Sequence, residues 1–249
     1  MINSQTITRS NLNLHSGRIE NYKRDAYGIS GNTENAFFRI FVIQEGIFKI
    51  HLSRTEEFDE HSYAVISKPV GIDFSIIDVN GHIEVRTESL ILEIKKDPFT
   101  VLFKDVTGNI INEDDPGLGT SWIGEQVTTY KKLQEGERFI GLGEKTGPLD
   151  RKGNGYENWN TDHFGYPPDS DPLYCTTPFY IGIHSGTAYG LYLDNSHKTH
   201  FNFGASNRRF SSFSADQGDM AYYFIYEPSI EEIISSYTNL TGRMELPPI

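Results

Sequence analysis

Short runs of alternating apolar and polar residues, broken by Gly, Asn, Asp and Pro, recur along most of this chain. A period of two is the signature of half-buried strands, and it leaves little room for anything but an all-β architecture. Phe37 to Ile43 and Ile47 to Leu52 flank Glu45-Gly46, a hairpin signal. His82 to Thr87, Leu90 to Lys95 and Thr100 to Phe103 repeat the pattern at short spacing, with Leu90, Leu92 and Ile94 on one face. Further runs are Gln126 to Lys132, Pro178 to His184, Ala188 to Asp194, His200 to Phe203, Arg209 to Phe213 and Met220 to Tyr226. Many short strands joined by turns predict an antiparallel sandwich or barrel. At 249 residues, two stacked sheets can bury a sizeable core.

One helix is predicted near the end. Ser229 is its N-cap and Glu232, three residues on, completes a capping box. Ile230, Ile233, Ile234 and Tyr237 then form an apolar stripe, and Gly242 supplies the stop. Beyond it, Leu246-Pro247-Pro248 can neither continue a helix nor centre a strand. The sequence therefore divides into a β-sandwich domain over 1–243 and the start of a linker over 244–249.

Charge and cysteine usage exclude several functions. Twenty-two Lys and Arg against 34 Asp and Glu give a net charge of -12, which repels phosphate backbones, so no nucleic-acid partner is expected. Neutral ligands such as sugars are indifferent to that field. Cys175 is alone, so neither an intramolecular disulfide nor a cysteine zinc site is available. The opening Met1-Ile2-Asn3-Ser4-Gln5 has no basic start followed by an apolar run, and no window suits a membrane span. A cytoplasmic, bacterial setting without membrane contact is the expectation.

Other motifs fail on spacing. Gly141-Leu142-Gly143-Glu144-Lys145-Thr146-Gly147 lacks the Gly before Lys of a phosphate loop, and its third Gly is one residue late for a dinucleotide fingerprint. It reads as a tight strand-to-loop transition, and no cofactor is expected. His197 and His200, three apart on a predicted strand, point to opposite faces and share no metal. Asp169-Ser170-Asp171 reads as a solvated turn rather than a calcium site, so no metal is expected. The long polar segment from Gly147 to Tyr174 is more informative. Tyr156, Trp159, Phe164, Tyr166 and Tyr174 crowd it beside Asn160, Asp162 and His163. Aromatic faces stack on sugar rings while carboxylates and amides bond their hydroxyls. The alternative is that the aromatics pin the loop to the sandwich; composition leaves both readings open.

Gly141-Leu142-Gly143-Glu144-Lys145-Thr146-Gly147-Pro148-Leu149-Asp150, then Trp159-Asn160-Thr161-Asp162, then Asp171-Pro172-Leu173-Tyr174, resembles the N-terminal domain of family 31 glycoside hydrolases. Pro178-Phe179-Tyr180-Ile181-Gly182, Tyr189-Gly190 and Asp194-Asn195 extend the match, and weaker similarity covers roughly 35 to 245. The resemblance implies a galactose-mutarotase-like sandwich preceding a (β/α)8 catalytic barrel, in enzymes that are mostly α-glucosidases, with some α-xylosidases. Their nucleophilic aspartate lies in the barrel, in a motif W-x-D-M-N-E that neither Trp122 nor Trp159 begins. The chain alone is therefore expected to hold no catalytic residue and to be inactive. The resemblance also implies that a loop of this domain reaches over the barrel mouth and that its aspartate, Asp162 by the Asn-x-Asp pattern, contacts the α-glucoside or oligosaccharide substrate. Trp159 and His163 would be its neighbours, with the barrel as the other partner. Two rival readings are a stand-alone carbohydrate-binding module and a mutarotase-like isomerase pairing Glu144 or Glu157 with His163.

Overall fold

The computed structural model describes residues 13–245, so most of the expected linker, 246–249, lies outside them. Among the described residues nineteen strands precede one helix. They are β1 (Leu14–His15), β2 (Ile19–Asp25), β3 (Gly28–Thr33), β4 (Phe37–Gln44), β5 (Ile47–Ser53), β6 (Ser75–Val79) and β7 (His82–Arg86). Next come β8 (Leu90–Lys96), β9 (Phe99–Asp105), β10 (Ile110–Glu113), β11 (Thr120–Ile123), β12 (Gln126–Lys132) and β13 (Arg138–Gly143). The remainder are β14 (Gly155–Asn158), β15 (Thr176–His184), β16 (Thr187–Leu193), β17 (Thr199–Asn202), β18 (Phe210–Ala215), β19 (Met220–Ile225) and α1 (Ile230–Thr241).

All pairings are antiparallel, in three sheets. An eight-stranded sheet runs β13-β15-β16-β19-β5-β4-β3-β2, a six-stranded sheet β1-β11-β12-β18-β17-β14, and a five-stranded sheet β10-β9-β8-β7-β6. The two smaller sheets meet at a bridge between Asp114 and Lys131. Both face the large sheet across one aromatic core. Phe103 of the five-stranded sheet stacks on Phe224 at 3.7 Å between centroids, and Phe213 of the six-stranded sheet meets Tyr222 edge-on at 5.2 Å. The expected β-sandwich is therefore the fold.

Within that core sits a buried ion pair. Lys131 Nζ lies 2.6 Å from Asp114 Oδ1, the two side chains being 1% and 3% exposed. The ammonium also donates to Tyr222 Oη at 3.2 Å, while Asp114 Oδ2 accepts the Val101 amide at 2.8 Å. One cation thus ties together strands from all three sheets. The period of two in Val127, Thr129 and Lys131 puts all three on the inner face, where they are buried.

The outer face of the large sheet is covered as well. Ile233 and Leu240 of α1 pack with Phe179, Tyr192 and Tyr223, and Ala64 and Val65 of the long β5–β6 connection join them. Ser229 caps the helix by accepting the Glu232 amide at 3.2 Å. The predicted stripe needs one correction. Ile234 is 46% exposed, and Leu240 is buried in its place, because 230, 233, 237 and 240 follow one helical face and 234 lies to its flank.

Strands without clear alternation escape the sequence pattern. β2 reads Ile-Glu-Asn-Tyr-Lys-Arg-Asp and lies at a sheet edge. β3 carries glycines because its neighbours come close: a Cβ on Gly28 would fall 1.9 Å from the Ile40 carbonyl oxygen. β14 lies inside what the sequence presents as one long irregular loop. Among the described residues no helix is long and apolar enough to cross a membrane.

Candidate functional site

The site is built outward from the end of β13. Gly141, Leu142 and Gly143 have φ of 135°, 72° and 75°. That left-handed run turns the chain out of the sheet, and only glycine fits its last position, where a Cβ would meet Thr177 N at 2.7 Å and Cys175 O at 2.8 Å. Leu142 turns into the core and is fully buried. The strand-to-loop reading of this motif therefore holds.

Lys145 follows, and it anchors everything beyond. Its side chain is fully buried, and Nζ donates to Asp171 Oδ1 at 2.6 Å and to the Glu157 carbonyl at 2.5 Å. Asp171 Oδ2 accepts the Glu157 amide at 2.6 Å. Burial pulls the Lys145 ammonium below its ordinary value, against the opposing pull of Asp171. Asp171 is thus an internal counter-ion rather than part of a solvated turn. β14 then pairs with β17, Gly155 opposite Asn202 through Asn158 opposite Thr199. Tyr156 lies under Arg151, whose guanidinium carbon is 5.3 Å from the ring centroid, and packs against the core. Of the loop's aromatics, this one pins.

Beyond Asn158 the chain forms an exposed tip closed by two contacts. The Thr161 amide donates to the Leu173 carbonyl at 3.0 Å, and Asn160 Oδ1 accepts both the amide and the hydroxyl of Thr176, at 2.8 and 2.9 Å. Asp162 and His163 stand on this tip. Asp162 is exposed, and no hydrogen bond or ion pair among the described residues engages its carboxylate. Tyr174 is its neighbour: the phenol is pushed up first by partial desolvation and then by the charge of Asp162. Tyr174 also donates to the His163 carbonyl at 2.7 Å, and the His163 ring lies 6.5 Å from that of Tyr166. Phe164 is almost wholly exposed, at 96%.

Trp159 turns elsewhere. Half exposed, it lines a groove with Asn158, Asn160, Thr176, Asn195 and His197, a hollow of about 330 Å³. The same groove widens past Asn195 and His197 into a second hollow of about 550 Å³, toward His61 and Tyr63. The three residues expected to form one sugar contact are therefore divided, Asp162 and His163 on the tip and Trp159 in the groove. His197 precedes β17 and faces this groove, while His200, on β17, bonds Asp216 at 3.0 Å. The Glu157–His163 pairing of the isomerase reading does not form, since Glu157 pairs with Lys198 at 2.9 Å. Another Glu and His, Glu137 and His184, are sealed in the core, where burial pushes the Glu137 carboxyl up. Among the described residues no group of three or more His, Cys, Asp or Glu could hold a metal ion.

The sequence matches the glycosyl hydrolase 31 N-terminal galactose mutarotase-like domain over residues 37–202. The chain belongs to that family. The match runs from the start of β4 to the end of β17 and so contains the glycine turn, the Lys145 anchor and the Asp162 tip. An α-glucosidase 2 of Bacillus thermoamyloliquefaciens is 30% identical over 244 residues, which are 97% of this chain and 31% of that protein. An α-xylosidase of Lactiplantibacillus pentosus is 35% identical over 133 residues, 52% of this chain and 17% of that protein. Among solved structures, a Flavobacterium johnsoniae GH31 dextranase complexed with isomaltotriose superposes with a TM-score of 0.88 at 31% identity, over 94% of this chain and 29% of that one. This domain thus spans less than a third of the length of these relatives, and it is the N-terminal domain of GH31 glycosidases that it matches.

Sequence reasoning considered Lys145, Asp171 and His197 singly, but passed over the Lys145–Asp171 anchor and the groove that His197 lines. Their partners lie on distant segments, so no local spacing announces them.

Proposed function

We propose that this chain is the N-terminal accessory domain of an α-glucosidase-type glycoside hydrolase, packing on a catalytic barrel and lending Asp162 to substrate recognition. The observation that carries the proposal is an exposed carboxylate, engaged by no hydrogen bond or ion pair among the described residues, on a tip whose base is fixed by the buried Lys145 and its partner Asp171. An ionised carboxylate held in this way can accept bonds from two sugar hydroxyls at little ordering cost, a charge-assisted contact worth about 1.5–3 kcal/mol. Phe164, Tyr166 and Tyr174 around it offer apolar surface for the barrel and the sugar ring to cover. Relatives named for α-glucosidase, α-xylosidase and dextranase activity support an α-linked sugar as substrate. The chemistry itself requires two carboxyls about 5 Å apart across the scissile bond, which falls to the barrel in this reading.

The test is Asp162→Ala in a protein carrying this domain together with its barrel. The kcat/KM for a chromogenic α-glucoside should fall by about one to two decades, matching the lost contact, with the melting temperature unchanged. Unaltered kinetics would take Asp162 out of the site and leave the domain a purely supporting role. The 249-residue chain alone should not turn over the same substrate.

A further inference from the structure

The outer face of the large sheet carries a lysine that nothing clamps. Along β5 the period of two sends Phe48, Ile50 and Leu52 into the core and turns Ile47, Lys49 and His51 to the other side. Lys49 therefore stands near the middle of that face, opposite Phe41 on β4 and Tyr223 on β19. Its side chain is only 12% exposed. The β5–β6 connection roofs this spot and leaves a hollow of about 350 Å³, lined by Lys49 and walled by Phe41, Ile43, Val65, Ile66 and Pro69. Ile66 and Lys68, also in the lining, are exposed, so the hollow opens to solvent.

Lys131 and Lys145, which are buried too, are held differently. Each ammonium lies 2.6 Å from a carboxylate oxygen and donates to a second partner. No hydrogen bond among the described residues engages Lys49 Nζ; Asp194 Oδ2 is 4.0 Å away, and the Tyr223 ring centroid 5.3 Å. The other charged groups of this face are committed to one another: Glu60 to Arg39, Asp219 to His51, and Asp59 to the His61 amide. Burial pulls the Lys49 ammonium below its ordinary 10.5, against the opposing charges of Asp194, Glu60, Asp59 and Asp219. On losing its proton Lys131 or Lys145 forfeits charge-assisted bonds, whereas Lys49 forfeits none. A free amine in an apolar hollow is a nucleophile.

We infer that Lys49 is a reactive amine site that holds a small neutral aldehyde in this hollow as a reversible imine. The nitrogen lone pair adds to the carbonyl carbon, the carbonyl oxygen gains a proton and the nitrogen sheds one. Loss of water from this carbinolamine then leaves the C=N bond, with nothing oxidised or reduced. Asp194 Oδ2 is the nearest base for the proton, since Oδ1 already accepts the Ser62 hydroxyl at 2.7 Å. The walls suit an apolar body, and the surrounding carboxylates disfavour an anionic one. The site is independent of Asp162 and of any barrel.

The 249-residue chain can be treated with benzaldehyde and cyanoborohydride at neutral pH, which fixes the imine as a stable amine, and then mapped by peptide mass spectrometry. The adduct should form at Lys49 on the order of tenfold faster than at the exposed Lys23, Lys95 and Lys152. That preference should widen as the pH is lowered, because the exposed amines protonate first. Benzyl alcohol, which has the same body and no carbonyl, should slow trapping at Lys49 and nowhere else. The para-carboxylate of benzaldehyde should be trapped less at Lys49 than benzaldehyde itself. Lys49→Arg should abolish the adduct, and Lys68→Arg, on the same hollow, should leave it unchanged. Labelling spread evenly over the exposed lysines, an adduct that resides on Lys68, indifference to benzyl alcohol, or equal trapping of the carboxylate would each overturn the inference. These readouts are taken on the parent chain or on Lys68→Arg, so they stand even if Lys49→Arg fails to fold.

Discussion

Two lysine–aspartate pairs in this domain have the same 2.6 Å separation and nearly the same lysine burial, yet they sit in very different places. Lys131–Asp114 lies between three sheets, with the ammonium 5.0 Å from the Tyr222 ring centroid and 5.7 Å from that of Phe103. Lys145–Asp171 lies at the root of a loop, and its aspartate keeps 20% exposure. In the first pair both ions have left water; in the second only the cation has. Removing one member of the inner pair strands the other in a dry aromatic cage. Removing the lysine of the outer pair lets Asp171 turn back to solvent. The inner pair therefore sets whether the sheets assemble in register, and the outer pair sets where the tip points.

The largest effect should come from the inner pair. Lys131→Ala should destabilise the domain by about 3–5 kcal/mol, read from denaturant unfolding, because it leaves an uncompensated buried carboxylate. Lys131→Met combined with Asp114→Leu should recover most of that loss. If Lys131→Ala unfolds like the parent chain, the distinction between the two pairs collapses.

Lys145→Ala should cost less overall, about 1–3 kcal/mol, since its partner can be rehydrated. Its effect should be concentrated in the loop, with faster hydrogen exchange at the Glu157 and Thr161 amides and unchanged exchange in β15. Uniform loss of protection across β15 and β19 would show that the outer pair supports the core as well.

The smallest effect concerns a third pairing, on the outer face of the large sheet. His51 Nε2 lies 2.9 Å from Asp219 Oδ2, which also accepts the Asp59 amide and so ties down the long β5–β6 connection. Burial holds the imidazole below its ordinary 6.5, although Asp219 pulls the other way. Burial also pushes the Asp219 carboxyl up, but hydrogen bonds from His51, Ser53 and the Asp59 amide outweigh it and hold the group below 3.8. Both shifts act in one direction. As pH falls below 6.5 the unfolded chain takes up a proton that folded His51 resists, so stability declines; it declines again as Asp219 protonates below 3.8. Exchange around Asp59 should therefore quicken on acidification, and His51→Gln should flatten the upper part of that dependence. A connection that stays equally protected through the imidazole range would refute it.

The contrast between the pairs also shows what a sequence can disclose. The strands from β4 to β5, from β7 to β9 and from β15 to β19 were legible because alternation is decided within six or seven adjacent residues. The strand that carries Lys131 was legible by the same rule, but the burial of this lysine and its counter-ion were not, since a strand pattern carries no information about which residue faces it across the core. Edge strands such as β2 and β14 fell below the threshold because one or both of their faces remain wet and have no reason to be apolar. Within the candidate site, the Asp162 motif was visible as a local string of residues. Its separation from Trp159 was not, because it depends on β14 pairing with β17 and turning Trp159 toward Asn195 and His197.

The strand order of the large sheet has a consequence in time. β5 lies between β4, its neighbour in the chain, and β19, with Leu52 opposite Met220 and Ile47 opposite Ile225. During synthesis the free edge of β5 must wait roughly 170 residues for that partner, on the order of 10–30 s at ribosomal speed. Throughout that interval Ile47, Phe48, Ile50 and Leu52 form an unpaired apolar edge, the kind of template on which neighbouring nascent chains aggregate. The last strand to emerge among the described residues is thus the one that closes the middle of the sheet, and until it arrives β5 has to be kept covered.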